Sequence, residues 1–165
     1  MALSELFARL TGRRSEPERP VLARVPTSDD LLAALDAVTA MVARSAVPAP
    51  VASRVTRVSR TVRDTIPRLS NLGAGSQQAY NVMATATDYL PEAVDGYLRL
   101  PRQWADSRPV DRGKTSLMIL IDQLDLLAAT MDKVFDAVCR ADAAALVAHG
   151  RFLADRFGRS ELNLE

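Results

Sequence analysis

Residues 115–140 read TSLMILIDQLDLLAATMDKVFDAVCR, and their spacing decides the fold class. Leu117, Ile121, Leu124, Ala128, Met131, Phe135 and Val138 follow one another at alternating steps of four and three. Leu120, Leu127 and Val134 widen the seam on one side. At roughly 100° per residue these side chains share one face of an α-helix. The stripe is broader than the seam of a two-stranded coiled coil and suits the core of a helical bundle. A long helix is therefore predicted over 115–140.

Downstream, Asp142 reads as the cap of a separate final helix in which Leu146, Leu153 and Phe157 repeat at helical spacing, with Gly158 as its stop. Upstream, Thr27 or Ser28 caps a helix with Asp29 and Asp30 in its first turn, favourable against the helix dipole. Its seam is Leu31, Leu35, Val38 and Val42, and Pro48 and Pro50 end it. Val51, Val55, Val58 and Val62 form the inner face of the next helix, over about 51–65. Pro67, Gly73 and Gly75 mark a break, and Ser76 caps a helix to about Tyr89. Pro91 opens a short helix that Pro101 stops, and 102–114 reads as a polar loop. No segment alternates with period two between turn signals. The expectation is an all-α bundle of about five to six helices over 27–158. It is preceded by a short separate N-terminal amphipathic helix with a Pro/Arg-rich linker (1–26) and followed by a tail (159–165).

Composition narrows the function classes. The chain has 165 residues, enough for one domain with a real core, and is 48% apolar but only 5% aromatic. Such a core of Leu, Val, Ala and Met favours close helix packing. A net charge of +1 argues against a globally basic nucleic-acid binder. Only two basic residues, Lys114 and Lys133, are lysines, an Arg bias that resembles GC-rich bacterial proteomes. Cys139 stands alone, so neither an internal disulfide nor a Cys-based zinc site is expected, and it reads as a packed, inert thiol. No apolar run approaches the roughly 20 residues of a membrane span, and the first ten residues lack the pattern of a signal peptide. The expected location is cytoplasmic, with a peripheral position on the inner face of the membrane left open.

Chemical signatures are few. Gly113-Lys114-Thr115-Ser116 looks like the end of a phosphate-binding loop, but Arg108 stands where that motif needs glycine, so a loop and helix cap is the better reading. Asp122, Asp125, Asp132 and Asp136 lie off the seam of the long helix, spaced to hold a cation or to share acid–base work. No Glu-x-x-His pair accompanies them, so a solvated or arginine-paired face is preferred, and neither metal nor cofactor is expected. His149 has no sequence-local partner that would give it catalytic work.

Two surfaces point to binding. Arg54, Arg57, Arg60 and Arg63 fan across the half-cylinder opposite the valines, with Arg68 just beyond. A basic amphipathic helix meets anionic lipid, an acidic partner or phosphates; alternatively, the aspartates of the long helix answer it. Nucleic acid is disfavoured, since no aromatic interleaves the arginines. Leu3, Leu6, Phe7 and Leu10 line one face of the N-terminal helix and suit contact with a membrane surface or docking on a partner.

Tyr89-Leu90-Pro91, Tyr97-Leu98 and Leu100-Pro101, followed by a long leucine-seamed helix, resemble over 89–157 the bacterial bromochloroindolyl-phosphate hydrolysis (XpaC-like) family. That resemblance implies a helical C-terminal region, association with toxic-anion resistance proteins, and phosphoester hydrolysis by name. It carries over no catalytic residue, and the membrane segments common in that family have no counterpart here. Read from the residues alone, Tyr89 and Tyr97 pack the helix and point their hydroxyls to water or a partner. The expected function is a non-enzymatic helical adaptor or scaffold that binds another protein. A phosphoester hydrolase and an anionic-lipid binder are the alternatives, and homo-oligomerisation is compatible with each.

Overall fold

The computed structural model describes residues 24–73 and 75–158. The N-terminal stripe Leu3, Leu6, Phe7 and Leu10, most of the linker and the tail lie outside the described residues. Local chemistry starts each helix. Helix α1 (Ser28–Arg44) opens on a reciprocal cap: the Thr27 hydroxyl accepts from the Asp30 N–H, and the Asp30 carboxylate accepts from the Thr27 N–H. Helix α2 (Ala49–Thr65) carries Pro50 in its first turn, where a missing N–H is harmless. A 3-10 segment (Ile66–Leu72) then leads to α3 (Gln77–Ala84), capped by Ser76 as expected.

Pro91 sits in the first turn of α4 (Leu90–Leu98), as expected, but a π turn (Thr85–Tyr89) joins α3 directly to α4, where two separate helices were expected. Pro91 has no N–H for the carbonyl four residues back, and its ring crowds that carbonyl. In the wider turn the Leu90 N–H reaches the Thr85 carbonyl five residues back, and the rod continues through the proline.

The stretch 102–114, expected to be loop, is ordered into α5 (Arg102–Ser107) and a small antiparallel hairpin, β1 (Pro109–Asp111) with β2 (Lys114–Thr115). Arg112 (φ 46°) and Gly113 (φ 79°) are both left-handed, the conformation that closes a two-residue hairpin.

The largest departure from expectation lies in α6 (Ser116–Phe157), one helix of 42 residues where two were expected. Asp142 caps nothing. Its carboxylate faces sideways onto Asn71 (2.9 Å) and Arg68 (3.3 Å), and the alanines around it let the helix run on.

Four rods build the bundle: α1, α2, the α3–α4 rod and the first half of α6. Ion-pair order sets direction. Arg54 meets Asp125, Arg57 meets Asp132 and Arg68 meets Asp142, so the numbers rise together and α2 runs parallel to α6. Helix α1 folds back on α2, with Arg63 on Asp36 (2.6 Å), and α4 packs against α6. Helix α2 packs chiefly on α6, α6 on α4, and α4 and the π turn on α1. The core joins Leu31, Leu35 and Val38 to Val51, Val55, Val58 and Val62, then to Leu90 and Val94, and to Leu120, Leu124 and Met131. Phe135, expected inside, is half-buried under the Arg68 guanidinium, 6.0 Å from its ring centre.

Candidate functional site

The arginine fan of α2 meets carboxylates of its own fold. Arg54 Nε lies 2.8 Å from Asp125, Arg57 pairs with Asp132, and Arg63 pairs with Asp36. Asp132 also accepts from the Thr61 hydroxyl at 3.2 Å. This is the alternative that the sequence left open, in which the long helix answers α2. Arg60 is exposed, and no ion pair is formed at it among the described residues. The basic face is thus largely neutralised at contact distance, and a single free guanidinium is weak attraction for an acidic partner or lipid.

The aspartates of α6 are spread along the helix and paired individually. Lys114 holds Asp122, and Arg140 holds Asp136 at 2.7 Å. Lys114 sits in the hairpin, with its ammonium on a carboxylate. Among the described residues no group of three or more His, Cys, Asp or Glu side chains is placed to hold a metal ion. His149 is exposed and stacks on Phe152, with ring centres 6.3 Å apart. Cys139 is half-buried.

What the fold does bring together is the pair of tyrosines. Tyr89 and Tyr97 sit on the wall of an open groove of about 510 Å³ between α4 and the first half of α6. Ala93, Gly96 and Leu100 continue that wall, and Ile119, Gln123, Leu126 and Leu127 face it from α6. The groove exists because α4 offers small side chains there: a Cβ on Gly96 would touch nothing within 4 Å. Leu126 is left 68% exposed, and Tyr80, Tyr89 and Met118 are also open to solvent.

The two tyrosines differ in environment. Tyr97 is buried, donates a 2.6 Å hydrogen bond to Asp106, and lies under the Arg102 guanidinium at 5.0 Å. Burial, then the bond to Asp106, pushes its phenol up to about 12. Tyr89, the last residue of the π turn, stays exposed, and neighbouring Tyr80, partial loss of water, and then Asp88 and Glu92 hold its phenol above the ordinary value. Asp88 and Glu92 give this edge of the groove a negative rim. The groove itself was missed in the sequence. Its signals were Ala93, one turn from each tyrosine, and Gly96, two turns from Tyr89 on the same face.

Among the described residues no helix is long and apolar enough to cross a membrane. Comparison with family models, with curated proteins and with solved structures gave no match to this chain.

Proposed function

We propose that the protein is a helical adaptor whose groove between α4 and α6 receives an amphipathic segment of a partner protein. One observation carries this reading: an open, mostly apolar groove lined by both tyrosines, with Leu126 left exposed on its flank. Two facing helices with an apolar trough between them suit a third helix laid lengthwise, read through anchors at every third or fourth residue. Tyr89 and Tyr97 supply large rigid rings with a polar end, a combination favoured at interfaces. The rim of Asp88 and Glu92 selects a partner segment with basic residues flanking its apolar face.

A photo-crosslinking phenylalanine in place of Leu126, compared with the same probe in place of Arg60, tests the proposal in the native cell. The Leu126 probe is expected to capture a discrete partner that the Arg60 probe does not. Gly96→Trp, which fills the groove from a position with open space above it, is expected to abolish the capture while the protein melts as before. Equal capture from both positions, or capture indifferent to Gly96→Trp, would overturn the groove. Turnover of a chromogenic phosphate that follows the purified protein and fails on Asp122→Asn would replace the adaptor by the hydrolase that the family resemblance implies.

A further inference from the structure

Beyond Cys139 every residue of α6 to Phe157 is exposed. Apart from Asp142, whose carboxylate meets Arg68 and Asn71, about 27 Å of helix therefore stands clear of the bundle among the described residues, at 1.5 Å per residue. This overhang is apolar along one stripe. Cys139, Ala143, Leu146, Gly150, Leu153 and Phe157 follow at steps of four, three, four, three and four, the register of a helix–helix seam. Leu146 is 73% exposed and Phe157 60%, with Val147 and Leu153 beside them. Isolated exposed leucines are ordinary on a protein surface, whereas a continuous seam of them marks an interface.

We infer that the overhang pairs antiparallel with the overhang of a second copy of this chain. The order of large and small residues along the seam points to that occupant. When the two stripes are laid antiparallel and centred near residue 148, each layer joins a large side chain to a small one. Leu146 faces the partner subunit's Gly150, Leu153 faces the partner subunit's Ala143, and Phe157 faces the partner subunit's Cys139. The two-fold axis repeats every layer, so the surface is self-complementary, as a two-fold dimer requires. A parallel pairing would instead set Gly150 on Gly150 and Phe157 on Phe157, alternating voids with crowding.

Charge follows the same geometry. In the antiparallel register Asp142 flanks the seam opposite the partner subunit's Arg156. Its carboxylate is already held in place by Arg68 and Asn71. Two helices in contact over this length cover on the order of 1,000 Å², the lower edge of a specific interface. This pairing is independent of the groove, which lies along the first half of α6.

Sedimentation of the full chain across the micromolar range tests the inference. The expected result is a monomer–dimer equilibrium that Leu153→Asp shifts wholly to monomer without changing helicity or the melting midpoint measured at low concentration. Layer pairing is read by disulfides in a Cys139→Ala background. Leu146→Cys and Gly150→Cys chains are expected to crosslink on mixing and not separately. A wild type that stays monomeric, or a dimer indifferent to Leu153→Asp, would overturn the inference. Leu146→Cys chains that crosslink to themselves would overturn its direction. A monomer whose amides at 143–157 are protected until residues 1–22 are removed would overturn it too, in favour of the chain's own N-terminal segment.

Discussion

The two halves of α6 belong to one helix and obey one periodicity, yet they live in different surroundings. From Ser116 to Cys139 the stripe of Leu120, Leu124, Met131 and Val138 is buried against α2, α4 and their neighbours. From Arg140 to Phe157 Leu146, Leu153 and Phe157 are equally periodic and stay exposed, uncovered by any other element among the described residues. Periodicity states that a face is to be covered. It does not state by what. The composition differs instead: the inner half alternates its apolar face with aspartates that α2 and the hairpin answer, while the outer half is rich in alanine, with Gly150 in its seam.

Substitution on the two stripes breaks the comparison most sharply. Leu124→Asp is expected to prevent folding, because an unpaired charge in an apolar interior costs several kcal/mol against a total stability of about 5–15 kcal/mol. Leu146→Asp, the same change on the outer half, is expected to leave urea unfolding of the monomer within about 0.5 kcal/mol of wild type. A Leu124→Asp chain that melts cooperatively, or a Leu146→Asp chain that does not fold, would erase the distinction between the halves.

Alkaline titration sharpens it on the side where α4 approaches the inner half. The fold raises the Tyr97 phenol from 10.0 to about 12, so it favours the protonated form. That contribution is complete below pH 10 and is lost as pH rises through about 12. The melting temperature is therefore expected to fall across this window. Tyr97→Phe should flatten that dependence and lower stability at neutral pH by about 1 kcal/mol, since the bond to Asp106 is gone.

The pairing of α2 with the inner half is worth less. Arg57 and Asp132 remain about half exposed, so a double-mutant cycle on Arg57→Ala and Asp132→Ala should return at most about 1 kcal/mol. A coupling several times larger would mean that the pair holds the register of α2 on α6. The smallest effect is expected at Ser59, whose buried hydroxyl meets no hydrogen-bond partner among the described residues. Ser59→Ala removes a polar group that gains nothing from burial, so chemical denaturation should show stability unchanged or raised by up to about 1 kcal/mol.

Much of this molecule was legible along the chain because its signals are local. The seam from Leu117 to Val138, the valines of α2, the caps at Thr27 and Ser76, and the all-helical class each follow from a few neighbouring residues. Where reading failed, a tertiary contact outweighed a local rule. Asp142 has the identity of a cap, but Arg68 and Asn71 hold it from across the bundle, and the helix passes through. Pro91 opens α4 as its identity suggests, but the π turn behind it absorbs the missing donor and joins α4 to α3 without a gap. The arginines of α2 were visible as a face, while their pairing required knowing that α2 runs parallel to α6.

By itself, then, the sequence determined that helices form, where most of them start, and which face of each is apolar. Those outcomes depend on backbone hydrogen bonds and side-chain period within a few turns. Only the tertiary structure decided which apolar faces meet, that small residues on α4 leave a trough beside Tyr89 and Tyr97, and that the end of α6 stands clear. Contacts between residues distant in the chain depend on the direction and offset of whole helices. No local spacing encodes these, because the hydrophobic effect that joins two faces is non-directional and favours whichever partner the packing of the rest allows.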